Sequence, residues 1–229
     1  MDLPNAFPEH RAMIISHFQL RRAIGWAGVA LPVVLYFAFI VGFPNCPFPQ
    51  SISHFYYTPL GTYFTGTLFA VAVFLFFYRL PEKTDRRAAQ LAGFAAIVIA
   101  CCPTYPYCTS CMECSSIFWI PFPWSTALHY ASAGLFFCIL AFFCFFLFTK
   151  TNPAQAPSAQ KMIRNRIYRI CGTTILLCMI LLCIYDGDTV IFQFSFFTLP
   201  PLTFMLESIA LLAFGLSWLI KGETLWRDK

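Results

Sequence analysis

Long apolar runs alternate with short polar ones along the chain, and the alternation has the period of a membrane protein. A helix that crosses a bilayer needs about 20 apolar residues. Segments of that kind run near Ile24–Phe43, Gly61–Tyr78, Ala88–Pro106, Thr126–Phe148, Ile167–Tyr185 and Leu199–Ile220. The pattern predicts an all-α polytopic transmembrane bundle of about six helices, forming a single membrane domain over residues 1–229. Pro103 and Pro106 are expected to bend or end the third segment. The first segment follows a polar stretch and ends in Phe43-Pro44-Asn45, with no small-residue cleavage site, so it reads as an anchor rather than a removable signal.

The basic residues sort by loop. Arg11, Arg21 and Arg22 precede the first segment; Arg79, Lys83, Arg86 and Arg87 lie between the second and third. Lys150, Lys161, Arg164, Arg166 and Arg169 lie between the fourth and fifth, and Lys221, Arg227 and Lys229 follow the sixth. These account for all 15 Lys and Arg, and loops 44–60, 103–125 and 186–198 contain none. Basic loops stay in the cytoplasm, so both termini are expected there, in a cell inner membrane.

Composition agrees: 59% of residues are hydrophobic, 28 are Phe, only 11% are charged, and the mean hydropathy is +0.69. Soluble domains are about a quarter charged. The net charge of +5 is accounted for by orientation, so membrane lipids are the expected partners and nucleic acid is not. Ala88, Ala92, Ala96 and Ala100 recur every fourth residue and predict a close helix contact, with Gly61, Gly66, Ala127, Ala131 and Gly134 as weaker versions. Tyr56, Tyr57, Trp119, Trp124, Trp218 and Trp226 are expected in an interfacial belt, and residues 149–160 read as a linker.

Polar groups at membrane depth carry the functional expectations, because placing a charge at a helix centre costs roughly 2.5–3.5 kcal/mol. Glu207 lies inside the last segment, His129 near the outer end of the fourth, His54 just before the second, and Asp186 and Asp188 after the fifth. Glu207, His129, His54 and Asp186 are expected to line an outward-facing polar pocket that binds or transports a small molecule, lipid or ion. A competing expectation is a metal-dependent hydrolase of a lipid ester or amide, with His54, His129, Asp186 and Glu207 holding Zn²⁺. The bland alternatives are a hydrogen-bonded neutral Glu207 and interfacial histidines.

Eleven cysteines are present. Cys46, Cys108, Cys111 and Cys114 fall in loops on the side away from the basic residues, where disulfides are favoured if that compartment is oxidising. Thiolate metal binding is the alternative.

The stretch Ser51-Ile52-Ser53 with Tyr56 and Tyr57, then Phe64, Gly66 and Leu68, then Glu207, Trp218, Lys221 and Glu223, resembles a family of uncharacterised bacterial six-helix inner-membrane proteins. The likeness spans roughly residues 50–105 and 125–223. It implies the helical fold and a bacterial inner membrane, with no activity attached. A looser likeness, through Ser53, His54 and His129, is to the alkaline ceramidase and adiponectin-receptor-like membrane hydrolases, which hold zinc in a helical bundle.

Overall fold

A computed structural model describes residues 8–78, 80–105, 122–151, 156–184 and 201–224, with backbone alone for residues 8–17, 122 and 123. Six α-helices form among the described residues: α1 Pro8–Gly42, α2 Gly61–Phe76, α3 Lys83–Cys101, α4 Phe122–Phe142, α5 Ala159–Ile184 and α6 Leu202–Lys221. Among the described residues there is no strand. Each helix packs on its chain neighbour, and α1 closes the ring against α6 in the most extensive of the contacts.

The helices begin and end for local reasons. α5 starts at Ala159, eight residues before the apolar run, because Ser158 Oγ accepts the Lys161 N–H (3.1 Å) and caps the first turn. Similarly, α1 starts at Pro8 rather than Ile24, through a stretch free of helix breakers. Pro32 sits inside α1 and, lacking an N–H, leaves the Gly28 carbonyl without its helical donor. At the far end of α4 the winding loosens into a π turn over Phe143–Leu147, where Gly172 of α5 leaves room for Phe145 and Cys144.

Four helices are long and apolar enough to cross a membrane: Phe18–Gly42, Trp124–Leu147, Ala159–Ile184 and Leu202–Lys221. α2 is apolar but only 16 residues long. α3 opens on Lys83, Asp85, Arg86 and Arg87, which leaves a short apolar remainder. Large apolar side chains cover the outside, including Phe37, Phe77, Phe94, Ile170 and Ile184. Large apolar side chains this exposed are unusual on a monomer in water, and with the four long helices they are compatible with a multi-pass membrane protein.

The alanine stripe of α3 packs as expected: Ala92, Ala96 and Ala100 are buried, and Gly93 lies against the Ala72 carbonyl of α2. The closest approach is elsewhere, between α1 and α6. A Cβ on Gly215 would sit 2.7 Å from the Gly25 carbonyl oxygen, and one on Gly25 would sit 2.9 Å from that of Gly215. Gly66 and Gly134 have no neighbour within 4 Å, and Ala127 and Ala131 are exposed, so the small residues expected to pack α4 face outward. Trp218 also departs from the interfacial belt. It is fully buried among Tyr78, Phe148 and Phe214, whereas Trp124 is exposed as a belt residue should be; Trp119 and Trp226 lie outside the described residues.

The two ends of the bundle differ in chemistry. At one end Arg22 Nε donates to Gly222 O (2.9 Å) and Arg21 Nη1 to Lys221 O (3.3 Å), so α1 caps the last carbonyls of α6. Lys150 bridges to Asp85 (2.5 Å) and Glu82 (2.7 Å), tying the end of α4 to the start of α3. The basic segments therefore gather at one end. Gly215→Ala should lower stability in detergent by about 1–3 kcal/mol, the usual cost of overpacking. Gly66→Ala, with open space and a helix-interior glycine replaced, should be neutral or raise it by about 0.5–1 kcal/mol. Thermal unfolding of the two variants beside the wild type checks both; equal effects would remove the α1–α6 glycine contact from the account.

Candidate functional site

The end away from the basic residues is organised around a 3₁₀ turn, Ser53–Tyr57, between α1 and α2. Its Phe55 is fully buried and meets Phe39, Phe48 and Phe204 edge-on or tilted at 5.5–5.8 Å between ring centroids. That aromatic cluster joins α1, the following loop and α6, and it fixes where the flanking polar residues point. Gly61 begins α2 hard against the Tyr56 carbonyl, where a Cβ would not fit.

Beside the turn runs a short extended exit from α3, residues 102–105. Helix hydrogen bonding has ended there, and each successive carbonyl takes a side-chain donor instead. The His129 ring bonds Cys102 O through Nδ1 (2.7 Å). Ser125 Oγ donates to Pro103 O (2.7 Å), and Tyr57 Oη donates to Thr104 O (2.6 Å). His54 hydrogen-bonds the Tyr105 backbone. In apolar surroundings an unmet carbonyl costs several kcal/mol, so the backbone itself explains why polar residues collect at this end. Ser125 and the carbonyls of residues 102–104 were not singled out from sequence, and Tyr57 was expected in an interfacial belt rather than as a donor here, since a carbonyl in need of a donor leaves no mark on residue type.

Glu207 anchors the other side of the turn. Its Oε2 accepts the Ile52 backbone N–H at 2.6 Å, which joins α6 to the residue before Ser53. Glu207 is thus hydrogen-bonded, as an acceptor from a backbone N–H rather than as a donor to a carbonyl or hydroxyl.

His129 has a second contact. A carbonyl only accepts, so Nδ1 carries a proton, and in the neutral ring Nε2 presents a lone pair. Ser53 Oγ lies 2.8 Å from Nε2, at the distance for donating to that lone pair. His129 is buried and Ser53 half-buried. A hydroxyl, an imidazole and a group fixing the imidazole tautomer are thereby lined up across α3, α4 and the turn.

Of the four residues expected to form one site, the structure brings His54 and His129 to the same end as Glu207, on three different elements. Asp186 and Asp188 lie outside the described residues. Among the described residues no three His, Cys, Asp or Glu side chains converge as a metal site would require. Cys46 is disulfide-bonded, and the other seven described cysteines are free thiols; Cys108, Cys111 and Cys114 lie outside the described residues.

Comparison with protein-family models, curated proteins and solved structures finds no match. The functional reading rests on the geometry.

Burial pushes the His54 imidazole below its ordinary value of 6.5, against the opposing pull of its hydrogen bond to the Tyr105 backbone. Below about pH 6.5 the unfolded chain therefore takes up that proton before the folded one does. Stability should decline as pH falls through that range, and His54→Gln should flatten the decline. Unfolding midpoints between pH 5 and 8 read this directly. In the same assay Glu207→Leu, which strands the Ile52 N–H, should cost about 1–3 kcal/mol, while Glu207→Gln keeps an acceptor and costs less.

Proposed function

We propose that this protein is a membrane-embedded acyl hydrolase acting on a lipid ester or amide, with Ser53 as nucleophile and His129 as general base. The observation that carries the reading is the 2.8 Å contact between Ser53 Oγ and His129 Nε2. His129 Nδ1, Ser125, Tyr57 and Glu207 each meet a backbone group, whereas this contact joins two side chains. It has the order that activates a serine: nucleophile, base, and a third group holding the base in the right tautomer. Here the third group is the Cys102 carbonyl instead of a carboxylate. Glu207 serves as a positioning residue, holding Ile52 and with it the turn that carries Ser53.

In the proposed reaction Ser53 Oγ attacks the substrate carbonyl carbon and its proton passes to His129 Nε2. Collapse of the tetrahedral intermediate breaks the ester or amide bond, and the leaving alcohol or amine departs with that proton. Water then attacks the acyl-serine, again giving its proton to His129. The carboxylic acid leaves and Ser53 recovers its hydrogen. Lipid is the favoured substrate class because Trp124, Leu128 and Tyr130, flanking His129 on α4, are exposed and apolar or aromatic. A metal bound through Nε2 would have to displace Ser53, so the zinc-dependent version is the less supported form. The basic end is proposed to face the cytoplasm in a six-span, inner-membrane arrangement, which puts the Ser53 end outside. On that side Cys46 is proposed to pair with one of Cys108, Cys111 and Cys114, stapling two outer loops.

A second reading is an outward site that binds or moves a small molecule, lipid or ion without chemistry, supported by the gathering of His54, His129 and Glu207 at one end. A fluorophosphonate probe separates the two. Purified protein should be labelled at Ser53, shown by mass shift of the peptide containing it. Ser53→Ala should abolish labelling, and His129→Gln should slow it by about 10²–10⁴, the range for a lost general base. Folded wild type that stays unlabelled under excess probe would remove the hydrolase reading and leave the binding one. Peptide mapping without reductant should find Cys46 joined to one of the three loop cysteines, and a free Cys46 thiol would contradict the staple.

A further inference from the structure

The basic residues in the first turns of α5 fall on two faces of the helix. Arg164 is buried and belongs to the inner face, whereas Arg166 and Arg169 are exposed. Met162, Asn165, Arg166 and Arg169 recur at the three- and four-residue spacing that puts side chains on one side of a helix. Among the described residues these four line a groove of about 310 Å³ on the outside of α5. That size is at the lower end of the range of about 300–1,000 Å³ common to ligand pockets.

The surroundings of the two arginines are not those of a helix facing water. Met162, Ile163 and Ile170 beside them are exposed. α5 is also the least buried of the four long apolar helices, at 28% of its apolar stretch against 39%, 44% and 56% for the others. An outer face that mixes exposed Ile and Met with Arg fits the boundary of a bilayer, where arginine stems lie along apolar chains and their heads reach the phosphates. The depth agrees. From Arg166 to Ile184, α5 measures about 27 Å at 1.5 Å per residue, close to the hydrocarbon thickness of about 30 Å. With Ile184 at one boundary, Arg166 and Arg169 lie within about a turn and a half of the other.

The polar groups of the groove ask for a particular ligand. Among the described residues neither Arg166 nor Arg169 has an ion pair or a side-chain hydrogen bond; the carboxylates Asp85 and Glu82 pair with Lys150. Asn165 Oδ1, in the same groove, is a buried acceptor with no hydrogen-bond partner among the described residues. Leaving a buried acceptor unmet costs free energy, and what it needs is a donor, which an ionised phosphate oxygen is not. The guanidinium groups supply paired donors that match phosphate oxygens. A ligand that meets all three carries a phosphate with a hydroxyl a few atoms away. We propose that the groove holds the headgroup of an anionic phospholipid that bears a hydroxyl, such as phosphatidylglycerol. Arg166 and Arg169 take its phosphate and Asn165 Oδ1 accepts from its glycerol hydroxyl. Its acyl chains run along Leu177, Ile180 and Ile184, which are exposed further along the same face. The proposal rests on the bilayer setting and not on the chemistry at Ser53, whose probe labelling is read separately.

The test uses the full chain, delipidated in detergent and titrated with dioleoylphosphatidylglycerol, dioleoylphosphatidic acid, dioleoylphosphatidylcholine and inorganic phosphate. Native mass spectrometry counts the bound lipid, and calorimetry gives the affinities. Saturable binding of phosphatidylglycerol, tighter than that of phosphatidylcholine, is the result expected. Arg166→Gln and Arg169→Gln should each weaken it about fivefold; both side chains are exposed, so neither change disturbs the core. Asn165→Ala should weaken phosphatidylglycerol and spare phosphatidic acid, whose headgroup has no glycerol hydroxyl. Arg87→Gln, which removes an exposed cation at the start of α3, should change nothing. Equal losses in Arg87→Gln and the groove variants would reduce the effect to general attraction between charges and overturn the site. No saturable phosphatidylglycerol, or phosphatidylcholine bound as tightly, would overturn it too. Inorganic phosphate binding as tightly as the lipid would overturn the lipid assignment, and equal losses of both anionic lipids in Asn165→Ala would overturn the hydroxyl contact.

Discussion

A chain in a bilayer has to find a partner for every backbone N–H and carbonyl that is not in a helix, and at the end opposite the basic residues two non-helical stretches meet. One is the turn before α2 and the other is the extended exit from α3. Much of the polar chemistry at that end follows from this. His129, Ser125 and Tyr57 answer three consecutive carbonyls, of Cys102, Pro103 and Thr104, and Glu207 answers the Ile52 N–H. Polar residues that look costly at membrane depth are thereby explained one by one. The Ser53–His129 contact joins two side chains instead, which is why the functional proposal rests on it.

The constraint also makes the site rigid. A serine–histidine pair is useful only if held close to its working geometry, and here each partner is fixed from behind. The Cys102 carbonyl orients the imidazole, while the Phe55 cluster and the Glu207–Ile52 bond hold the turn. The basic end is built the other way. Arginines of α1 cap the carbonyls of α6. One end meets exposed backbone carbonyls with side-chain donors; the other gathers the basic side chains.

How much of this can be read from residues alone depends on what kind of contact is involved. The alternation of apolar runs and the sorting of all lysines and arginines made the helices and the two ends legible, because burial and charge act on side-chain type. The Ala92, Ala96 and Ala100 stripe was legible for the same reason. The Gly25–Gly215 contact was hidden, since the two glycines lie on helices at opposite ends of the chain and the pair exists only in space. Trp218 has the composition of a belt residue, yet ring packing with Tyr78, Phe148 and Phe214 holds it in the core. At the site, Glu207, His54 and His129 stood out as polar residues in apolar surroundings. What they bond to did not, because their partners are mostly backbone groups of residues 52 and 102–105.

The central claim, that His129 is poised as a base toward Ser53, turns on which ring nitrogen carries the proton. Nitrogen-15 NMR of selectively labelled histidine in the full-length protein, assigned with His129→Gln, reads this directly at neutral pH. The account predicts a neutral ring protonated on Nδ1, with Nε2 shifted by an accepted hydrogen bond that disappears in Ser53→Ala. A proton on Nε2, or a fully protonated ring, would make Ser53 an acceptor and contradict the assignment of His129 as its base.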